Sequence, residues 1–319
     1  MKKRKIKRKI AVLAAMLSIG QSRSLAMDLP EVKIESQSNS QLVKCLKFVI
    51  PSAIVTVIAL GIFKITNCSK NTDNVDLSNV SEKTGEIKLN SVKNIRFLGW
   101  KMKDKDGNLI NDKAFIRSGN TNNLTPEDLA ALKKLGVKAV IDLRYPDEVG
   151  REPDKFSVEP GINYRNISIF VIHGSFANAN QMVDDYLCAL GCFNPRTDQE
   201  VNDKNNARKN IKKIFETIAN APEGGKILFH CSHGKDRTGI LSILLLSFAG
   251  VSKEDIVKNF IECYNRDGKS QVKLFTKQAV EKFIDLLTKR YGSVENFLKS
   301  KCGISDETIQ KVKKRINSN

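Results

Sequence analysis

The chain is short of acidic residues, of spaced cysteine pairs and of long apolar runs. Its 319 residues carry 35 Asp and Glu against 53 Lys and Arg, a formal net charge of +18. Spread evenly, that imbalance would suggest nucleic acid or an anionic membrane surface as a partner. Residues 1–70, however, hold 13 Lys and Arg against 3 Asp and Glu, whereas residues 71–319 hold 40 against 32. The excess belongs to the first fifth of the chain, and no nucleic-acid partner is expected. The seven cysteines (Cys45, Cys68, Cys188, Cys192, Cys231, Cys263 and Cys302) are odd in number and lack C-x-x-C spacing, which argues against a disulfide framework and a zinc site. Cys188 and Cys192, four apart on an expected helix, read as small buried residues sharing a face. No internal repeat of about 20–50 residues is visible.

No apolar run reaches the roughly 20 residues of a full membrane span. The first, IAVLAAMLSIG, follows the basic opening MKKRKIKRK and precedes Ser24-Leu25-Ala26, a small-x-small cleavage site. Residues 1–26 therefore have the order of a secretory signal. The second, Phe48 to Phe63, has sixteen residues without a charge between Lys47 and Lys64, and with flanks that snorkel it reads as a slightly short transmembrane helix. Eleven Lys and Arg precede Phe48 and only Lys64, Lys70 and Lys83 follow closely, so the positive-inside rule expects an extracytoplasmic C-terminal domain. Translocation and cleavage of the first segment would instead leave the domain facing the cytoplasm, or secreted. Residues 69–91 are polar with no sustained period and read as a linker.

From Val92 to residue 316 the pattern alternates. Residues 114–118 (AFIRS), 138–143 (KAVIDL), 163–169 (NYRNISI) and 226–230 (KILFH) read as strands. Helices are expected from Thr125-Pro126, over 203–220 and 239–250, and then near 253–264, 271–291 and 305–316, with Gly292 and Gly303 as stops. Strands alternating with helices predict an α/β domain whose central sheet is largely parallel and flanked by helices. Ligands in such sheets bind at the carboxyl ends of the strands.

Cys231 stands at such an end, in the stretch His230-Cys231-Ser232-His233-Gly234-Lys235-Asp236-Arg237-Thr238-Gly239. A strand-to-helix loop offers consecutive backbone N–H groups and a helix dipole, a site for phosphate. Gly234 and Gly239 let the backbone turn closely around it. The same field favours Cys231 as a thiolate able to attack phosphorus, and Arg237 supplies a planar fork for two phosphate oxygens. Thr238 can donate its hydroxyl to the sulfur. This chemistry requires neither metal nor other cofactor.

The stretch resembles the HC-x5-R-T-G signature of cysteine-dependent tyrosine and dual-specificity phosphatases, and its GKDRTG ending is most similar to the bacterial tyrosine/serine protein phosphatase family. Segments 94–99 (NIRFLG), 115–119 (FIRSG), 124–144 and 291–316 resemble further parts of that family, so the likeness covers roughly residues 92–316. Phe97, Trp100 and His233 depart from its usual pattern. The resemblance implies a protein-tyrosine-phosphatase-like fold and hydrolysis of phosphorylated proteins through a cysteinyl-phosphate. It further implies that Lys235 contacts extra phosphates of a phosphoinositide. For the acid that protonates the leaving oxygen, Asp236 ranks first and Asp142 second; Asp184 and Asp185 have a suitable position but no signature around them. His230 reads as an orienting residue, Arg144 as an ion-pair strut for the loop, and Asp147 and Glu148 as a solvated turn. An idle phosphate-binding or phosphoinositide-binding module is the alternative.

Overall fold

A computed structural model of the chain describes residues 78–171, 176–194, 196–265 and 275–317. Its framework is a five-stranded sheet in the order β1-β2-β5-β3-β4, made of β1 (Arg96–Phe97), β2 (Phe115–Ser118), β3 (Val137–Asp142), β4 (Asn163–Asn166) and β5 (Lys226–His230). β2, β5, β3 and β4 run parallel, and only β1 at one edge is antiparallel. The all-apolar centre of β5 is explained by cover on both faces. Leu228, Val140 and Ile116 point to one side, where Leu132 of α1 (Pro126–Lys134), Val92, Ile95 and Phe156 meet them. Ile227, Phe229, Ala139 and Ile141 point to the other and form the larger core with the later helices. Those helices are α3 (Ala179–Ala189), α4 (Asp198–Ala219), α5 (Asp236–Phe248), α6 (Lys253–Asn265), α7 (Phe275–Tyr291), α8 (Val294–Cys302) and α9 (Asp306–Asn317). α2 (Pro146–Arg151) follows β3.

Local chemistry starts and stops these elements where expected. Thr125 accepts from the Asp128 N–H ahead of Pro126 at the start of α1, and Gly136 at φ +90° lets the chain turn into β3. Register brings Ser118 and Asp142 level with His230, so three parallel strands end together.

Several expectations change. The stretch expected to be a linker is built into the domain from Val80: Val80 bridges Ile87, Glu86 bridges Arg96, and Ile87 is buried. Two short bridges leave no sustained period in the sequence, which is why the segment looked unstructured. Cys188 and Cys192 do not share a helix face, because α3 stops at Ala189 and Gly191 turns at φ +64°. Burial nonetheless pushes both thiols up, Cys188 to about 11. Gly239 serves packing rather than turning: it lies inside α5, where a Cβ would stand 2.3 Å from Phe260 of α6. The signal-like segment 1–26 and the apolar segment 48–63 lie outside the described residues; among those described, no helix is long and apolar enough to cross a membrane.

Candidate active site

Cys231 leaves the end of β5 and is buried, 3% exposed, at the start of a loop that closes on the first turn of α5. That turn already contains Asp236 and Arg237, so the loop proper is only Ser232 to Lys235. Three of its carbonyls are anchored, one from β2 and two from the residues just after β2 and just before β1. The Asn120 N–H donates to Ser232 O (3.1 Å), the Asn94 amide Nδ2 to His233 O (2.9 Å), and Arg117 Nη2 to Gly234 O (3.0 Å). A trans peptide points its C=O and N–H in opposite directions. Anchoring these oxygens therefore turns the N–H groups of His233, Gly234 and Lys235 away from the anchors. Among the described residues, the N–H groups of His233 and Gly234 have no hydrogen-bond partner. Free amides at a helix start form an anion nest. Gly234 is required at the crest: its φ is +70° and a Cβ there would lie 2.7 Å from Ser118 and Gly119.

Arg237 is held by Glu148 from α2. Its Nη1 donates to Glu148 Oε2 (2.5 Å) and its Nη2 to Oε1 (2.9 Å), while Tyr145 lies against the guanidinium at 5.0 Å from its ring centroid. Ser232 Oγ donates to Glu148 Oε1 (2.5 Å) and accepts from Arg237 Nη2 (3.0 Å). Burial works to raise the Glu148 carboxyl, but the bonds from Arg237, Ser232 and the Tyr145 N–H bring it down to about 2. Burial opposes the charge on Arg237, and the Glu148 bond with the neighbouring Cys231 raises it nonetheless. Glu148 is thus no solvated turn residue; only Asp147 stays at the surface, paired with Arg151.

Behind the loop, His230 is fully buried, with Nε2 3.0 Å from Asp154 Oδ2 and 3.9 Å from Asp142 Oδ1. Arg144, 1% exposed, grips both Asp142 oxygens through Nε and Nη2 and donates Nη1 to Glu152 O. Tyr164 also donates to Asp142, at 2.8 Å. Arg144 is therefore a strut for the end of β3. Asp142 is enclosed and committed to that strut, and nothing in this position brings it to a leaving oxygen. The Asp142, Asp154 and His230 donors stand close enough to suit a metal ion, but both carboxylates already share a cation in Arg144.

Asp236 faces a different group. The hydroxyls of Tyr186 (2.7 Å) and Tyr264 (2.9 Å) both donate to its Oδ1. Burial, then the charge of Asp236, raises both phenols, so they stay protonated donors. Lys235 is 9% exposed, with Nζ 5.1 Å from the Tyr264 ring centroid, while His233 is exposed. The Thr238 hydroxyl is buried with no partner. Asp184 is exposed and Asp185 buried on α3. Cys263 accepts from Arg117 Nη2 at 3.2 Å and donates to Phe260 O. The structure thus gathers Cys231, Ser232, His233, Gly234, Lys235, Asp236, Arg237 and Thr238 in one turn of chain and leaves Asp142, Arg144 and His230 behind it.

Sequence reading missed Glu148, Asn94, Asn120, Asp154, Tyr186 and Tyr264, and gave Arg117 no role. For Glu148 a signal existed. Tyr145-Pro146-Asp147-Glu148 has proline at the first helical position and an acid at N3, the start of α2.

A profile described as the tyrosine phosphatase family matches residues 87–318. A tyrosine-protein phosphatase of Nostoc commune is 31% identical over 227 residues, covering 64% of this chain and 74% of the relative. The triple specificity protein phosphatase PtpB of Mycobacterium tuberculosis is 23% identical over 193 residues, covering 53% of this chain and 67% of the relative. Among solved structures, the core catalytic domain of the PP-IP phosphatase SIW14 from S. cerevisiae aligns over 66% of this chain and 98% of its own, at 16% identity and a TM-score of 0.32; so remote a likeness carries no argument.

Proposed function

The chain belongs to the tyrosine phosphatase family, and from that premise we propose that it hydrolyses phosphotyrosine esters of proteins through a cysteinyl-phosphate on Cys231. The observation that carries this reading is the set of anchored carbonyls, which leaves amide N–H groups free beside a buried cysteine and a bidentate arginine. In the first step the Cys231 sulfur bonds to phosphorus and the ester P–O bond breaks. Asp236 gives its proton to the departing oxygen. In the second, a water oxygen bonds to phosphorus, the S–P bond breaks, Asp236 recovers a proton from the water, and inorganic phosphate leaves. Arg237 and the loop amides carry the charge on the phosphoryl oxygens throughout. Thr238, with its buried free hydroxyl, is the group to hydrogen-bond the sulfur as it departs. No metal takes part in this scheme.

The triple specificity ascribed to one relative is a reason to test more than one ester class. Purified full-length chain should turn over p-nitrophenyl phosphate and a phosphotyrosine peptide, with a phosphoserine peptide and a phosphoinositide assayed beside them. Cys231→Ser should abolish turnover of all of them while retaining phosphate-ester binding. A wild-type chain that binds these esters and turns over none would establish the idle-module reading instead. We further place the domain outside the cytoplasm, tethered through residues 48–63, on the charge asymmetry around that segment. A reporter fused after Asn319 that is active only in the cytoplasm would reverse that placement.

A further inference from the structure

Arg117 is 0% exposed, and its side chain reaches only neutral partners: the Asn259 amide oxygen (3.1 Å), the Gly234 carbonyl (3.0 Å) and the Cys263 sulfur (3.2 Å). Its Nε has no partner at all. Among the described residues, no carboxylate lies within ion-pair distance of it. An uncompensated buried charge is costly. The cost is increased by Arg96, which faces Arg117 in register across β1 and β2, is 1% exposed and shares Asn259 through its backbone carbonyl. Like charges opposed on neighbouring strands repel. By contrast, Arg144 has Asp142 and Arg237 has Glu148.

A guanidinium kept without a counter-ion, one hydrogen bond from the crest of an anion nest, has its natural partner in the anion the nest receives. Resting on the phosphatase reading above, we infer that Arg117 is an electrostatic positioning residue: its charge, not only its hold on Gly234, sets the loop's affinity for the phosphoryl group. Arg117 does not touch the substrate. It acts through the Gly234–Lys235 peptide, whose carbonyl it anchors and whose N–H faces the other way.

The test separates charge from clamp. Alkylation of Cys231 in the full-length chain is followed with iodoacetate, an anion, and with iodoacetamide, its neutral counterpart. The ratio of the two rate constants cancels the nucleophile's own reactivity and reports the field at the sulfur. Arg117→Gln should lower that ratio about tenfold, the order of one unit charge under protein-like screening, and weaken competitive inhibition by inorganic phosphate to match. Asn259→Asp leaves Arg117 in place and gives it the missing acid, so it should lower the ratio too, and it decides the matter if Arg117→Gln does not fold. Arg117→Lys should restore most of the ratio. Lys314→Gln, which removes an exposed cation beside the start of β5 rather than its end, should leave the ratio within about twofold of wild type. A wild-type ratio in Asn259→Asp and Arg117→Gln overturns the inference alone. No alkylation of wild-type Cys231 by either reagent removes the nucleophile, and with it both readings.

Discussion

Glu148 determines what Arg237 can do before any substrate arrives. The carboxylate fixes both terminal nitrogens of the guanidinium and the Ser232 hydroxyl at once. Glu148→Gln keeps the shape and removes the charge, and about a hundredfold should be lost from kcat/KM for a phosphotyrosine peptide, the scale of a misaligned catalytic group. The pH consequence follows from the sign of the shift. With its folded carboxyl at about 2 against an ordinary 4.5, Glu148 contributes stability that is complete above pH 4.5 and is lost as pH falls toward 2. Wild type and Glu148→Gln should therefore converge in thermal stability on acidification. Tyr186 and Tyr264 aim Asp236 in the same manner. Asp236→Asn should slow hydrolysis chiefly for esters with poor leaving groups, and Tyr186→Phe or Tyr264→Phe should reproduce part of that loss, about five- to tenfold for one buried hydrogen bond. Equal losses on p-nitrophenyl phosphate and on alkyl esters would remove Asp236 as the acid. At this scale Cys231 and Arg237 were legible because their spacing is local. Glu148 and Tyr186 were not, since their partners lie 89 and 50 residues further along the chain.

Strand ends, rather than single side chains, hold the loop's base in place. The end of β5 is tied to β3 through His230, Asp142, Arg144 and Asp154, all fully enclosed. Burial opposes protonation of His230, but the charge of Asp142 and the bond to Asp154 win, and its folded value lies above the ordinary 6.5. A raised value contributes stability that is complete below pH 6.5 and is lost as pH rises through the folded value. Asp154, lowered from 3.8 against the pull of burial by its His230 bond, contributes above that pH and loses its contribution in acid. Stability should thus decline as pH rises above 6.5, and His230→Asn should be less stable overall but flatter across that rise, read by thermal unfolding on a pH series that starts below 6.5. The elements themselves were largely visible: β5 was expected at 226–230 and is found at Lys226–His230. The start of α5 was not, because placing Asp236 and Arg237 inside a helix depends on the loop closing around them. The same is true of α2, only six residues long.

Across the whole molecule, the last helix secures the turn that enters β5 and the segment that precedes β2. Arg315 donates to the carbonyls of Ala221, Pro222 and Gly225, and Asn111 binds the carbonyls of Arg315 and Ile316. Ile309, Val312 and Ile316 are buried beneath α9. Removing residues 305–319 would expose partners of three side chains worth roughly 1.5–3 kcal/mol each, a sum comparable with the ~5–15 kcal/mol that holds a typical domain folded. That truncation should give no cooperative melting transition by circular dichroism. The carbonyl anchors of the loop also have a consequence in time. Asn94, Arg117 and Asn120 lie more than a hundred residues before the oxygens they hold. Contacts of such long range form late and set slow folding rates. Recovery of turnover on refolding should therefore lag recovery of helical circular dichroism, making turnover a clock for the meeting of β2 and β5; coincident recovery of the two signals would refute that order.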